Sequence, residues 1–235
     1  MAETILPIML DLLGKSQNEK IRRNLIKKPE IKMQKSKSLM NTIPIPNRDT
    51  KLVIRLMPVV LCGSDNVLDK KGQLYLRLLC RLVDKAFDEY LSAREYLLEE
   101  LRSKDKLAYR FTIIGHLENC INALHRAISV FSFSKSHSEI GRFISRNTKR
   151  KIQRLNISDI RDAIEHIDKD IQKGLLQKGV FLDIDDEYKN VCIGAKCVSL
   201  TEIVHILEKY HELVLEIFNN LPNRYKNGVY YYDKK

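Results

Sequence analysis

Tryptophan is absent from this 235-residue chain, and glycine and proline are scarce, at nine and six residues. So few turn-forming residues argue against a loop-rich or all-β fold. No run reaches the roughly 18 consecutive apolar residues that mark a membrane-spanning helix, so no membrane partner is expected. Met1 to Leu13 has no basic n-region and no credible cleavage site, and does not read as a secretory signal. Cysteine is sparse and odd in number, at positions 62, 80, 120, 192 and 197. Cys80 and Cys120 fall inside apolar helical patterns and read as small core residues. Cys192 and Cys197 have four residues between them and no matching Cys/His pair at finger-like spacing, so no metal and no cofactor are expected. A reduced, cytoplasmic protein is the simplest account.

What is present is a hydrophobic fraction of 44%, dominated by Leu, Ile and Val and sufficient for a real core. The 41 Lys and Arg exceed the 30 Asp and Glu, a formal charge of +11. That excess favours polyanionic partners, nucleic acid before an anionic membrane, although a merely soluble basic protein has the same balance.

Residues 1–65 read as an N-terminal apolar segment and a basic extension, and residues 66–235 as a helical domain. Residues 4–13 can form a short apolar helix ending at Gly14. Residues 15–51 hold eleven Lys/Arg against three Asp/Glu. The Ile43-Pro-Ile-Pro46 stretch cannot be a regular helix. This arm is either disordered alone, wrapped on another subunit or RNA, or a solvated linker. Leu52–Cys62 is apolar and β-branched; Pro58 argues against a central strand, and an extended segment or a short helix both remain open.

A long helix is predicted from about Asn66 to Ser103. Leu74, Leu78, Leu82, Ala86 and Tyr90 repeat with a four-residue step, widened by Leu79, Val83, Phe87, Leu91 and Leu98. A second long helix spans about Lys106 to Phe133, with Ile113, Leu117, Cys120, Leu124, Ala127, Ile128 and Phe131 inward. The short turn between them predicts antiparallel packing. A third helix covers Glu139 to about Arg146, within a basic stretch carrying Arg142, Arg146, Lys149, Arg150, Lys151 and Arg154. Asn156 or Ser158 can cap the next helix, which runs through Ile160, Ile164 and Ile167 to Lys173. Val180–Ile184 and Asn190–Ile193 suggest a small β-hairpin. Ser199-Leu-Thr-Glu202 is a capping box opening a last helix, about Leu200–Asn220, with Ile203, Ile206, Leu207, Tyr210, Leu213, Val214 and Ile217 inward. The fold class is therefore mainly α: two long antiparallel helices, a small hairpin before the last helix, and an irregular basic N-terminal arm.

The segment Arg161-Asp-Ala-Ile-Glu-His166-Ile-Asp168 carries a cation and an imidazole with four residues between them. RNA can be cut without a metal when a base takes the ribose 2′-hydroxyl proton and a cation stabilises charge on the phosphate, and these two groups suit those tasks. A five-residue step leaves them about 140° apart around a regular helix, so they converge only on a phosphate lying in a groove. Asp162, four residues before His166, could orient its imidazole, and Asp170 is a second candidate. The bland alternative is a set of solvated ion pairs.

The motif Arg161-Asp162-Ala-Ile-Glu-His166, the two long helices before it and the helix after it resemble the HEPN superfamily, helical domains of many prokaryotic RNA-cleaving toxins and defence proteins. The resemblance covers about residues 66–220. It implies a HEPN-like bundle and a metal-independent endoribonuclease, a toxin or an antiviral, abortive-infection effector. His166 would be the acid/base group, Arg161 the phosphate stabiliser and Asp162 the polar position of the motif. Homodimers or larger homo-oligomers with the motifs facing one cleft, an RNA substrate bound along residues 142–154, and an antitoxin or activating partner protein are likewise implied. Two positions depart from the family's habit: Asp162 stands where Asn is common, and Asp168 where one branch has Tyr. The alternative is a non-catalytic RNA- or protein-binding module, as some family members are. A peripheral membrane anchor built from residues 4–13 ranks last, because that stretch is short and contains Pro7. His116, His125, His205 and His211 read as structural or surface groups. Tyr109 and Tyr188 could stack on bases but sit where aromatics are usually core.

Overall fold

A computed structural model describes residues 39, 42–61, 68–103, 106–152, 157–172 and 182–221. The apolar segment 4–13 and most of the arm lie outside them. The chain divides after Thr42, and residues 43–235 form the unit that carries the elements below.

Its centre is a pair of long helices, α2 (Lys70–Arg102) and α3 (Lys106–His137), packed along their lengths. Before them lies α1 (Leu52–Leu61). After them come a 3-10 helix (Glu139–Phe143), α4 (Arg146–Ile152), α5 (Ser158–Glu165) and α6 (Ile167–Gln172). Strands β1 (Asp183–Ile184), β2 (Asn190–Ile193) and β3 (Lys196–Ser199) follow, and α7 (Leu200–Asn220) closes the described fold. The described residues are mainly helical, with a small three-stranded antiparallel sheet in the order β1-β2-β3.

Asp69, not Asn66, sets the start of α2: its carboxylate accepts the Gly72 amide at 3.0 Å, a side-chain N-cap. The buried stripe runs through Leu76, Leu79, Val83, Ala86, Tyr90, Ala93 and Leu97, while Leu74 is 57% exposed. A strict four-residue row drifts about 40° per step, so the predicted row from Leu74 to Tyr90 wraps off the packed face at its N-terminal end. In α3 the predicted inward residues are buried except Ile128, which is half-buried. The helix extends past Phe133 to His137.

Helix α1 resolves the choice left open for the Leu52 region: it is a helix, with Pro58 inside it. Its N-terminus is capped from a distance. Asp84 of α2, only 7% exposed, accepts the Leu52 and Val53 amides at 3.0 and 2.9 Å. The end of the basic arm is likewise fixed, rather than disordered or merely solvated. The Tyr90 hydroxyl donates to the Pro44 carbonyl, Arg48 and Lys51 both pair with Asp88 at 2.8 Å, and the Asn47 amide donates to Glu208.

Helix α7 follows its sequence pattern closely. Ser199 Oγ accepts the Glu202 amide at 3.0 Å, and all seven predicted inward residues are buried. Its buried His211 is structural, with Nε2 3.0 Å from the Thr50 carbonyl oxygen and the ring edge-on to Phe87. Tyr188 is core as well: it is 4% exposed, and its hydroxyl donates to Glu100.

Two elements depart from the sequence reading. The hairpin has a third strand, and its register sets Cys192 directly opposite Cys197, where they form a disulfide. The expectation of reduced cysteines therefore fails for this pair, while Cys80 and Cys120 are free and buried. The helix predicted over Glu139 to about Arg146 is a 3-10 helix that ends at Phe143, and a separate helix, α4, begins at Arg146 within the basic stretch.

Acid should loosen this fold at three surface ties. Burial alone would raise the carboxyls of Asp88, Asp185 and Glu216. Hydrogen bonds outweigh it, from Lys51 and Arg48, from the segment at Lys189 and Asn190, and from Thr148 and Ser145 respectively, and hold each below its usual range. Depressed folded values contribute stability that is complete above the unfolded values near ~4 and is lost as pH falls through the folded ones. The urea midpoint should therefore drop between about pH 5 and pH 3. An unchanged midpoint across that window would show that these ties contribute nothing.

Candidate functional site

Arg161 sits in the middle of α5, which packs against α3 on one side and against β2 and β3 on the other. Asp159 lies in its first turn, and no side chain caps it; Ile157 occupies the cap position and Ser158 is already helical. The helix does not continue to Lys173. It ends at Glu165, and His166 leaves it at φ −110° and ψ 17°, with its amide still donating to the Asp162 carbonyl at 3.0 Å. Helix α6 begins after it.

The break separates the two motif residues. Arg161 faces a pocket of about 450 Å³ between α3 and α5, lined by Glu118, Asn122, His125 and Arg126 from α3 and by Arg161, Ile164 and Glu165 from α5. His166 is exposed and does not line it. Asp162 does not orient the imidazole. Its carboxylate takes Arg161 Nη1 at 3.0 Å, and Glu165 takes Nη2, because the neighbouring cation is the stronger partner. Among the described residues no hydrogen bond or ion pair engages the His166 ring. The side chain of Asp170 lies outside the described residues.

The unpredicted member of the pocket is His125. Burial and the Arg161 cation hold its imidazole below the ordinary value of 6.5, outweighing the opposite pull of Asp162 and Glu165. A histidine so placed is neutral at neutral pH and can accept a proton. The spacing of Glu118, Asn122, His125 and Arg126, at i, i+4, i+7 and i+8, puts four polar residues on one face of α3, and is the signal in the sequence that marks it. His116, nine residues earlier, faces the other way as the helical rotation requires, with Nδ1 2.7 Å from Glu89.

The basic stretch is only partly free. Arg142 pairs with Glu139 at 2.7 Å, and Lys149 donates to the Gly141 carbonyl. Arg146 and Arg150 are exposed on α4. The Lys151 side chain and Arg154 lie outside the described residues. Helix α4 rests against α7, and Glu216 of α7 accepts the Ser145 amide at 2.8 Å. None of the basic residues 142–150 lines the Arg161 pocket.

Tyr109 is half-buried, its ring tilted against Tyr96, and His205 is exposed on α7. Among the described residues no cluster of three or more His, Cys, Asp or Glu side chains could hold a metal ion, and no helix is long and apolar enough to cross a membrane. No family model, curated protein or solved structure matches the chain.

Proposed function

We propose that the α3–α5 pocket is the active site of a metal-independent endoribonuclease, the activity that the HEPN-like motif implies. The observation that carries this reading is the meeting of the Arg161 guanidinium and the His125 imidazole in one half-enclosed pocket. The neutral imidazole of His125 takes the ribose 2′-hydroxyl proton, and the 2′-oxygen attacks the adjacent phosphorus. Arg161 stabilises the charge that builds on the phosphate oxygens. The P–O5′ bond breaks, leaving a 2′,3′-cyclic phosphate and a 5′-hydroxyl. His166, at the exposed end of the same helix, is the second proton-transfer group: in its imidazolium form it gives a proton to the leaving 5′-oxygen, while His125 keeps the one it took. Exposed Arg146 and Arg150, with the other cations of residues 142–154, hold the RNA backbone.

A toxin or defence role, a homodimer that brings two motifs to one cleft and an antitoxin or activator protein belong to the same proposal. A resting state suits it: Asp162 and Glu165 occupy Arg161 until a phosphate replaces them. The same ion pairs favour a second reading, a non-catalytic RNA- or protein-binding module, because they already satisfy the guanidinium.

The test is incubation of the full chain with mixed RNA in excess EDTA, with analysis of the ends formed. Cyclic-phosphate ends produced by the wild type and lost in Arg161→Ala support the enzyme. RNA retention without cleavage, unaffected by Arg161→Ala, supports the binding module. In either case Arg146→Glu/Arg150→Glu should weaken RNA retention and flatten its salt dependence; retention equal to wild type at every salt concentration would remove α4 from the RNA path.

A further inference from the structure

The Cys192–Cys197 disulfide lies on the outer face of the small sheet. In the β2–β3 register Val191 pairs with Val198 and Cys192 with Cys197. Side chains alternate between the faces of a strand, and burial follows: Val191, Ile193 and Val198 are buried, Cys192 is half-buried and Cys197 is exposed. The bond therefore fills no core position. It also adds little chain closure. The cysteines are five positions apart, and a turn at Gly194, with φ 57°, already joins the strands. Closure entropy grows with loop length, so such a bond is a weak staple.

Its exposure suits exchange instead. A thiolate can reach an exposed sulfur, and exposed disulfides are the readily reduced ones. Cys80 and Cys120 are closed to this chemistry, because both are fully buried and burial pushes their thiols up. The same two strands support α5, the helix that carries Arg161. That helix is eight residues long and no side chain caps its start, so packing rather than its own turns must hold it.

We propose that the Cys192–Cys197 pair is a redox switch on the support of α5. Bonded, it holds β2 and β3 in register against the helix. A dithiol reductant opens it. One thiolate of the reductant attacks Cys197 Sγ, forms a mixed disulfide and releases the Cys192 thiolate. The reductant's second thiol then displaces Cys197, so the pair gains two electrons and two protons and the reductant leaves as a disulfide. A small disulfide oxidant reverses the sequence. Reduced, the hairpin rests on its short ladder alone, and α5 loosens with it. Slower RNA cleavage by the reduced protein rests on the ribonuclease reading; the change in α5 does not.

The test holds the full chain, without denaturant, in excess dithiothreitol or in oxidised glutathione. Alkylation is mapped by mass, amide hydrogen exchange is followed in both states, and RNA cleavage is assayed in parallel. Dithiothreitol should expose Cys192 and Cys197 to alkylation and leave Cys80 and Cys120 unlabelled. Amides of α5 should exchange about tenfold faster in the reduced protein, a modest share of what a disulfide contributes, while those of α2 and α3 stay unchanged. Cys192→Ser/Cys197→Ser, which keeps Cys62, should match the reduced protein in both buffers. A pair that resists dithiothreitol, or equal α5 exchange in the two states, would overturn the proposal. So would a double variant that still responds to the buffer, which would trace the effect to Cys62, or cleavage that is present and equal in both states. Absence of cleavage in either state would sink the ribonuclease reading alone, and faster α5 exchange on reduction would still support the switch.

Discussion

Arg161→Ala should lower the rate of RNA cleavage by about a hundred- to a thousandfold, the usual cost of removing one preorganised donor from a developing phosphate charge. RNA retention should fall far less, since the exposed cations on α4 supply the backbone contacts. Arg161→Lys should recover little, because a point charge cannot replace a planar fork that reaches two oxygens at once. The pH profile separates the two histidines. With neutral His125 as the base, kcat/KM rises through its folded pKa, so the half-maximal point lies below 6.5. His125→Asn should abolish that acid limb. In residual Arg161→Ala activity the limb should move to higher pH, since a charge that disfavours imidazolium is gone while Asp162 and Glu165 remain. An acid limb unmoved by either substitution would exclude His125 as the base and leave His166 as the group to test.

Local chemistry explains which elements were legible in the sequence. Helix α7 announces itself through Ser199, Glu202 and an unbroken apolar stripe, and the long pair α2 and α3 through their periodicity. What the sequence hides is non-local. The cap on α1 comes from Asp84, about thirty residues on, and the same stretch of α2 immobilises Arg48 and Lys51, so an arm that reads as solvated is pinned at its end. Strand β3 is missed because Lys196–Ser199 is short and polar, and the Cys192–Cys197 pairing follows only once the turn at Gly194 and Ala195 fixes the register. The helix break at His166 carries no Gly or Pro, so periodicity reads straight through it. His125 is overlooked for a related reason. Its partner Arg161 is 36 positions away, and only the packing of α3 on α5 brings them to one pocket.

Glu100→Ala should cost about 1.5–3 kcal/mol, the usual worth of hydrogen bonds to a charged group, and should lower the melting temperature accordingly. Glu100 is 2% exposed near the end of α2, and it binds two groups at once: Arg110 Nη1 at 3.1 Å and the Tyr188 hydroxyl at 3.1 Å. Arg110 in turn donates to Asp183 and to the Ile184 carbonyl, so one buried carboxylate ties the paired long helices to β1 and its turn. Burial and the Glu100 charge together push the Tyr188 phenol up to about 12, which keeps it protonated and donating throughout the neutral range. Tyr188 also holds φ at 56°, a left-handed turn geometry that a side chain tolerates only when its surroundings enforce it. Removing the carboxylate thus strips a partner from Arg110 and the anchor from a strained turn together. Tyr188→Phe, which loses one hydrogen bond and keeps the packing, should cost only about 1 kcal/mol. Because β2 and β3 form the far support of α5, the Glu100→Ala protein should lose RNA cleavage at a lower temperature than it loses the helical signal of α2 and α3. Coincident loss of the two would show that sheet and helix pair unfold as one unit, and that the carboxylate stabilises the whole rather than the support of Arg161.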